Sequence, residues 1–563
     1  MYIFHLLRSF IPSLNPIGFS ATDFIELFVT IVLVLLASSL TYGKRLAEKP
    51  GWCMLILFTL PIALRIALLP QYPIPSPNVS DDFSYLLIAD TLRHFRLANP
   101  PHPLPQFFET YFVLQDPSYV SIFPLGQGLI LALGWTIFGH PWAGVALSIG
   151  AFCALCYWML RAWTTPGWAL IGGLLAVMEF GPLNQWMNSY WGGAVSACAG
   201  CLVFGALPRL HVFGRNRDRA LLGLGLALQL LTRPYESIFL VLSVLLFFLP
   251  DPRRLLRPAL IASLVVLPAI GLILLQNKQA TGNWTTLPYT LSRYQYGVPT
   301  TFTFQPLPVP HRSLTREQQL DYDAQSEVHG PGTDTFAAYS ARWVDRLRFY
   351  RFFLLPPLFF ALPTFLLALR EYRLALGLPW AAVTIVFFSL GTNFYPYFYS
   401  HYIAALTCLF VLIGVVGLER LSRWSIRGHA VGQECARILL FLCAAHFIFW
   451  YGVHSTRDSD LYAALTPFES WDAINHGDPE GRIAINRQLD AEPGRQLVFV
   501  RYWPQHQFRE WVHNAADIDR AHIVWARDLG PDENQKLLRY YPDRTAWLLE
   551  PDARPPRLRH YPQ

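Results

Sequence analysis

Long apolar runs alternate with short polar connections over residues 1–453. A helix needs about 20 mostly apolar residues to cross the hydrocarbon core of a bilayer. The runs that approach this length predict about twelve membrane-spanning helices. They lie at 22–41, 51–70, 142–161, 168–182, 190–207, 219–232, 235–249, 258–275, 352–369, 374–391, 398–418 and 437–453. This pattern predicts an all-α polytopic membrane domain.

A further apolar run, 122–139, either crosses the membrane or lies along its outer interface. Cytoplasmic loops carry an excess of Lys and Arg. If 122–139 does not cross, nearly all the basic residues of the short connections fall on one side, and Arg233 alone stays on the other. We therefore predict an interfacial helix at 122–139, with outer segments at 71–141 and 276–351.

The C-terminal segment, 454–563, has a soluble composition. Helix-like pieces such as PDENQKLLRYY alternate there with strand-like pieces such as QLVFVRY and AHIVWAR. This alternation predicts a small α/β domain. The charge pattern places it on the periplasmic side of a multi-pass protein of the inner membrane.

The composition agrees with a membrane protein and excludes several other classes. Hydrophobic residues make up 53% of the chain and charged residues 15%, whereas soluble domains carry about 25% charged residues. A net charge of +6 spread over 563 residues excludes a basic nucleic-acid-binding surface. The eight cysteines lie in or beside apolar runs, so we expect packing roles for them and no disulfide framework.

The strongest chemical signal is an acidic pair, Asp81 and Asp82, just after the second apolar run. Residues 82–97 follow with helical spacing, which predicts an amphipathic helix on the membrane surface. Adjacent carboxylates repel each other, and the pKa of one of them can rise. The alternative is an ordinary solvated acidic cap at a helix start.

These residues resemble the membrane glycosyltransferases of the GT-C fold, which take sugars from polyprenyl phosphates. That family includes protein O-mannosyltransferases and aminoarabinose transferases of lipid A. Its first outer loop carries an acidic pair, typically Asp-Glu, with a Tyr three residues after the second acid. Asp81, Asp82 and Tyr85 have this spacing, although the second acid here is Asp. A Pro-rich stretch around His102 and the run at 122–139 fit the family's order of elements.

The resemblance implies transfer of a sugar from a polyprenyl-phosphate donor to an acceptor hydroxyl on the extracytoplasmic side. Asp81 would be the catalytic base, and Asp82 would orient the acceptor or tune Asp81. A single displacement through an oxocarbenium-like transition state would invert the sugar carbon. The acceptor could be a glycan, a lipid or a protein, and membrane lipids would surround the enzyme. The residues indicate no cofactor, although a divalent metal ion remains open.

The leaving phosphate needs cations to stabilise its charge. The candidates for substrate binding, in addition to Tyr85 and His102, are Arg65, Arg233, Lys278, Arg293 and His401. Each has a structural alternative. Arg233 could pair with Glu236, Lys278 could extend from a helix end to the headgroups, and His401 could be an ordinary interfacial histidine.

Aromatic residues Tyr190 and Trp191 fit interface anchors better than sugar-stacking groups. His311, Arg312, His329 and Asp334 lack the spacing of a metal site, so we expect no structural zinc.

Three other classes of function remain open. A lipid-linked glycan ligase or polymerase would use a pyrophosphate-linked donor. A transporter or flippase of lipid-linked sugars would need charged residues along a path through the membrane, often with repeated halves, and these are scarce here. A receptor would bind its ligand through the C-terminal domain and would not need the acidic pair.

Overall fold

The structure is a computed structural model of the chain. It describes residues 21–37, 43–371, 377–456, 481–506 and 509–562, with the single residues 460, 465, 469 and 471. The predicted start of the C-terminal domain, near residue 454, falls next to residues outside this set.

Each apolar run of the sequence corresponds to helical structure. The helices up to residue 455 are α1 (Ala21–Ala37), α2 (Gly43–Ala47), α3 (Pro50–Ala67), α4 (Ser80–Arg93), α5 (Leu125–Phe138), α6 (Trp142–Leu160), α7 (Pro166–Phe180), α8 (Ala194–Val212), α9 (Asn216–Thr232), α10 (Pro234–Phe248), α11 (Leu256–Thr281), α12 (Pro288–Tyr296), α13 (Arg316–His329), α14 (Phe336–Arg346), α15 (Leu362–Glu371), α16 (Gly377–Thr392), α17 (Thr407–Ser422) and α18 (Val431–Ser455). Their apolar side chains form one large buried core.

Fewer helices are long and apolar enough to cross a membrane than the sequence predicts. Among the described residues, six helices are long and apolar enough to cross a membrane, or seven if one bent pair counts as a single span. Four shorter apolar helices, including α5 and α10, accompany them. The count of about twelve therefore stays a prediction.

The predicted span 352–369 is not one continuous helix. Two 3-10 turns, Leu347–Phe353 and Pro356–Ala361, precede α15. The helical stretches Phe336–Phe353 and Pro356–Leu369 meet at a bend of 112°. Pro356 and Pro357 lack the N–H groups that a continuing helix would need, so the chain breaks there.

Small residues bring α4, α5 and α9 into close contact. A Cβ atom on Gly128 of α5 would lie 2.2 Å from the Ile88 side chain of α4. A Cβ atom on Gly126 would lie 2.3 Å from the Thr232 side chain at the end of α9. Side chains at these two glycines would separate the helices. The glycines therefore hold the acidic helix α4 beside the residue that follows Thr232.

The first outer segment contains a short hairpin of β1 (Val113–Leu114) and β2 (Val120–Ser121).

The C-terminal segment folds around four further strands, β3 (Arg495–Val500), β4 (Ile523–Arg527), β5 (Arg544–Glu550) and β6 (Arg557–His560). They form one sheet in the order β4-β3-β5-β6. Strand β3 pairs in parallel with β4 and β5, and β6 is antiparallel to β5. Helices α19 (Arg482–Ala491) and α20 (Pro531–Tyr540) complete an α/β arrangement.

The α/β part packs directly against α4. The carboxylate of Asp90 accepts a hydrogen bond of 2.8 Å from the backbone N–H of Ala516. The ring of Phe83 stacks on His513 with 4.1 Å between centroids, and the Arg482 guanidinium lies 4.4 Å from the Phe83 ring centre. One face of helix α4 is thus covered by the α/β part, whereas the sequence predicted an amphipathic helix on the membrane surface.

The second outer segment is held by the same α/β part. Arg527 of β4 forms a buried ion pair with Glu317 at the start of α13. The three segments that the sequence assigns to the outer side therefore contact one another at one end of the helical bundle.

Candidate active site

Asp82 is a buried anchor at the start of α4. One carboxylate oxygen accepts a hydrogen bond of 2.7 Å from the backbone N–H of Tyr190, and the other accepts one of 3.2 Å from Asn78. Its side chain is 0% exposed. Burial raises the pKa of Asp82 to about 6, and these N–H groups oppose the rise. The alternative of a solvated acidic cap is therefore wrong for Asp82.

The loop that carries Tyr190 depends on two glycines. Gly192 and Gly193 have φ values of +87° and +148°, which side-chain-bearing residues rarely adopt. A Cβ atom on Gly193 would lie 2.1 Å from the indole ring of Trp186. This tight turn brings the backbone of Tyr190 to Asp82.

Asp81 is the chemically available member of the pair. It keeps some exposed surface, and its carboxylate accepts no hydrogen bond from another of the described residues. Burial, followed by the charge of Asp82, raises its pKa to about 7, while the cation Arg233 opposes this rise. A carboxylate with a pKa near neutrality is suited to taking up a proton.

Arg233 lies between α9 and α10, where the chain leaves helical geometry with φ −142° and ψ 80°. Pro234 occupies the first position of α10, where a missing N–H has no cost. The Arg233 guanidinium lies 4.9 Å from the ring centre of Tyr402. Within the described ranges it forms no side-chain hydrogen bond and no close ion pair, although the buried carboxylate of Glu236 lies within electrostatic reach of it.

Tyrosine side chains surround this cation. Burial raises the pKa of Tyr85 to about 12, and Arg233 opposes the rise. The ring of Tyr85 is stacked on Phe123 at 4.7 Å between centroids. The phenols within electrostatic reach of Arg233 belong to Tyr85, Tyr289, Tyr395 and Tyr402. The site thus combines one cation, neutral hydroxyl groups and the Asp81 carboxylate.

Sequence reasoning missed Asp321 as a neighbour of the acidic pair. It lies in α13, is 3% exposed, and accepts two hydrogen bonds from the Gln325 amide, at 3.1 and 3.0 Å. Its charge contributes to the raised pKa of Asp81. No motif marks it, because only the docking of the second outer segment brings α13 to α4.

His401 joins the site from the other side. It is 5% exposed, and its ring meets the Trp191 ring edge-to-face at 4.7 Å between centroids. It is also within electrostatic reach of Arg233. Trp191 is 8% exposed, so the prediction that it anchors the protein at the membrane interface is wrong.

Arg65 is engaged within the fold instead of reaching the acidic pair. Its Nε donates a hydrogen bond of 2.9 Å to Asn188, and its two terminal nitrogens donate to the carbonyl oxygens of Tyr72 and Pro73 at 3.0 Å. These bonds tie α3 to the segment that leads into α4. Arg65 thus braces the segment that leads into the helix carrying Asp81.

His102 and Lys278 also lie apart from Asp81 and Arg233. His102 is buried against the α/β part, with its Nε2 atom 3.1 Å from the Tyr541 hydroxyl. Lys278 donates a hydrogen bond of 2.7 Å to the carbonyl of Gly282 at the end of α11. No described contact connects either of them with the acidic pair.

Arg293 lies next to Tyr289 and is one residue removed from Arg233 in space. It donates to the carbonyl oxygens of Pro299 and Thr300 at 3.2 and 3.3 Å, and its guanidinium lies 5.3 Å from the ring centre of Tyr289. Tyr289 in turn is near Arg233. Arg293 therefore reaches the site through Tyr289.

No group of three or more His, Cys, Asp or Glu side chains within the described part of the chain has the geometry to hold a metal ion. Of the residues considered for such a site, Arg312 pairs with Glu109, and Asp334 pairs with Arg342. The metal requirement of the protein stays open.

Comparison with known proteins finds no matching family and no matching curated protein. Solved structures do show similarity. ArnT from Cupriavidus metallidurans in the apo state is 13% identical, with a TM-score of 0.47 over 89% of this chain and 93% of that chain. The same protein bound to undecaprenyl phosphate is 12% identical, with a TM-score of 0.46 over the same shares.

The archaeal oligosaccharyltransferase AglB from Archaeoglobus fulgidus, in complex with an inhibitory peptide and a dolichol-phosphate, is 12% identical. Its TM-score is 0.40 over 91% of this chain and 70% of that chain.

Proposed function

We propose that the protein is a membrane glycosyltransferase that moves a sugar from a polyprenyl-phosphate donor to an acceptor hydroxyl. One observation carries this proposal: the partly exposed carboxylate of Asp81 lies within electrostatic reach of Arg233, whose guanidinium forms no direct ion pair among the described residues. Such a pair provides a base for an acceptor hydroxyl and a cation for a leaving phosphate in one place.

The chemistry follows from these two groups. Asp81 takes the acceptor proton while the acceptor oxygen bonds to C1 of the sugar. The bond from C1 to the phosphate oxygen breaks in the same displacement, which inverts C1. The phosphate leaves with the electron pair, and Arg233 stabilises its growing charge. Buried Asp82 fixes the backbone around Asp81 and raises its pKa.

The proposed function also agrees with the position of these residues in the helical bundle. Helix α4 and the α9–α10 junction lie at the end of the bundle where the predicted outer segments meet. We place this end on the extracytoplasmic side of the inner membrane, following the distribution of basic residues. A lipid-linked donor would enter from the bilayer, and the acceptor would enter from the aqueous side.

The proposal is tested with the full-length protein in liposomes. Undecaprenyl phosphates that carry radiolabelled hexoses or pentoses are supplied, and release of undecaprenyl phosphate is measured with and without extracts of the cell envelope as acceptor. We expect label to move to an acceptor with one of these donors. A protein that uses only pyrophosphate-linked donors would be a ligase or polymerase, and label that only crosses the bilayer would indicate a flippase.

The transfer rate should depend on pH through Asp81. Because only the ionised carboxylate can take the acceptor proton, the rate should rise with pH and level off above about 7, the pKa of Asp81. Asp82→Asn removes a charge that raises this pKa, so the rising limb should move to lower pH. Rates measured from pH 5 to 9 check both expectations. A profile that does not change between pH 5 and 9 would contradict the role of Asp81 as base.

A further inference from the structure

Several side chains near Asp81 have a buried polar atom without a hydrogen-bond partner among the described residues. Native proteins leave few such atoms unsatisfied, and each one calls for an explanation. Within the described residues, the side chains around the site with such an atom are Asn78, Ser80, Trp191, Glu236 and His401. Asp82 connects two of them directly, because it accepts N–H groups from the backbones of Asn78 and Trp191.

Two of these atoms form a matched pair. The indole Nε1 of Trp191 can only donate a hydrogen bond, whereas the Nδ1 of neutral His401 can accept or donate one. Both side chains are more than nine-tenths buried, and their rings are in contact at 4.7 Å between centroids. Neither nitrogen has a hydrogen-bond partner among the described residues.

The ring of Tyr399 covers this pair. It lies nearly parallel to the His401 ring, at 9° and 5.7 Å between centroids, and edge-on to Trp191 at 5.6 Å. Tyr399 is 45% exposed and near enough to Asp81 to feel its charge. Its hydroxyl has no described hydrogen-bond partner, so the ring can turn outward without breaking a hydrogen bond.

We propose that Trp191 and His401 form a subsite for the hydroxyl groups of a saccharide ring, which enters when Tyr399 turns outward. This inference rests on the proposed function. A saccharide fits because it offers neighbouring hydroxyls that both accept and donate, together with an apolar face that can lie against an aromatic ring. Tyr399 lies within electrostatic reach of Asp81 and His401 within reach of Arg233, so the subsite takes either the donor sugar or the first sugar of a glycan acceptor.

The test uses two substitutions that keep aromatic bulk and remove the nitrogen, Trp191→Phe and His401→Phe. Trp450→Phe is the matched control, because Trp450 is also buried with an unpartnered Nε1 but lies in α18. Full-length protein in nanodiscs is titrated with undecaprenyl phosphate, with undecaprenyl phosphates that carry a panel of hexoses and pentoses, and with methyl glycosides of the same sugars.

If the subsite holds the donor sugar, the wild type binds a sugar-bearing lipid phosphate more tightly than the sugar-free one. Each of the two substitutions should then reduce this advantage by about tenfold, which is the usual size for a lost hydrogen bond. If it holds an acceptor sugar, the loss should appear in binding of a methyl glycoside. Trp450→Phe should change neither.

The inference is overturned if both substitutions bind every probe as Trp450→Phe does, or if the wild type shows no preference for a sugar-bearing probe. Failure of the proposed function would appear in the transfer assay and not in binding. In that case the wild type transfers no labelled sugar, and Asp81→Asn does not differ from the wild type.

Discussion

Asp81→Asn is expected to reduce sugar transfer by about a thousandfold or more. General acid–base catalysis contributes about 10²–10⁴-fold, and asparagine has no pKa that allows it to take the acceptor proton. The substitution is nearly isosteric, and the Asp81 carboxylate holds no other described residue by a hydrogen bond. Transfer of labelled sugar at saturating donor measures the effect, with Asp323→Asn, at an exposed position of α13, as the control.

Folding stability separates loss of chemistry from loss of structure in this variant. The pKa of Asp81 in the folded protein, about 7, lies above its ordinary value of 3.8. The folded state therefore binds the proton more tightly than the unfolded state, and the wild type loses stability as pH rises from about 4 to about 7. Asparagine removes this loss.

Asp81→Asn should consequently unfold at a higher temperature than the wild type at pH 8, and at the same temperature at pH 4. Thermal unfolding of detergent-solubilised protein checks this. An inactive and stabilised variant would establish that the carboxylate is kept for function at a cost in stability. Full activity of Asp81→Asn would refute its assignment as the base.

Arg233→Gln is expected to have the second largest effect, a loss of about 10²–10³-fold in kcat, because removal of one charge-stabilising group from a transition state typically costs this much. Glutamine keeps hydrogen-bonding capacity but loses the positive charge. Arg233→Lys should retain part of the activity, since it restores a point charge without the planar guanidinium. The affinity for undecaprenyl phosphate should fall in the same order.

Lys278→Gln tests Lys278 against Arg233, two of the basic candidates that the sequence could not rank. The Lys278 amine caps the end of α11 and has no described contact with the acidic pair, so its loss should change transfer less than threefold, the range of an exposed charge. If Lys278→Gln reduces kcat as much as Arg233→Gln, the assignment of the phosphate cation to Arg233 is wrong.

The sequence singled out the acidic pair as its strongest chemical signal, and the family resemblance implied a base in Asp81 and an orienting or tuning group in Asp82. The sequence could not show which of the two carboxylates is buried. Both residues are aspartates, and their spacing from Tyr85 does not show which of them is buried. The structure distinguishes them, because the Tyr190 loop reaches Asp82 and leaves Asp81 partly exposed. His102 lies in a stretch that fits the family pattern, but the structure places it against the α/β part and apart from the acidic pair.

What the sequence determined by itself is the helical architecture and the alternation of strands and helices near the C-terminus. These features follow from local periodicity and from apolar length, which neighbouring residues set among themselves. Tertiary structure alone decided which of the candidate residues come together in one site. Asp81, Arg233, Asp321 and His401 come from four distant segments, and close packing at Gly126 and Gly128, together with docking of the α/β part, brings them together. Contacts of this kind depend on the shapes of whole helices, which no local pattern encodes.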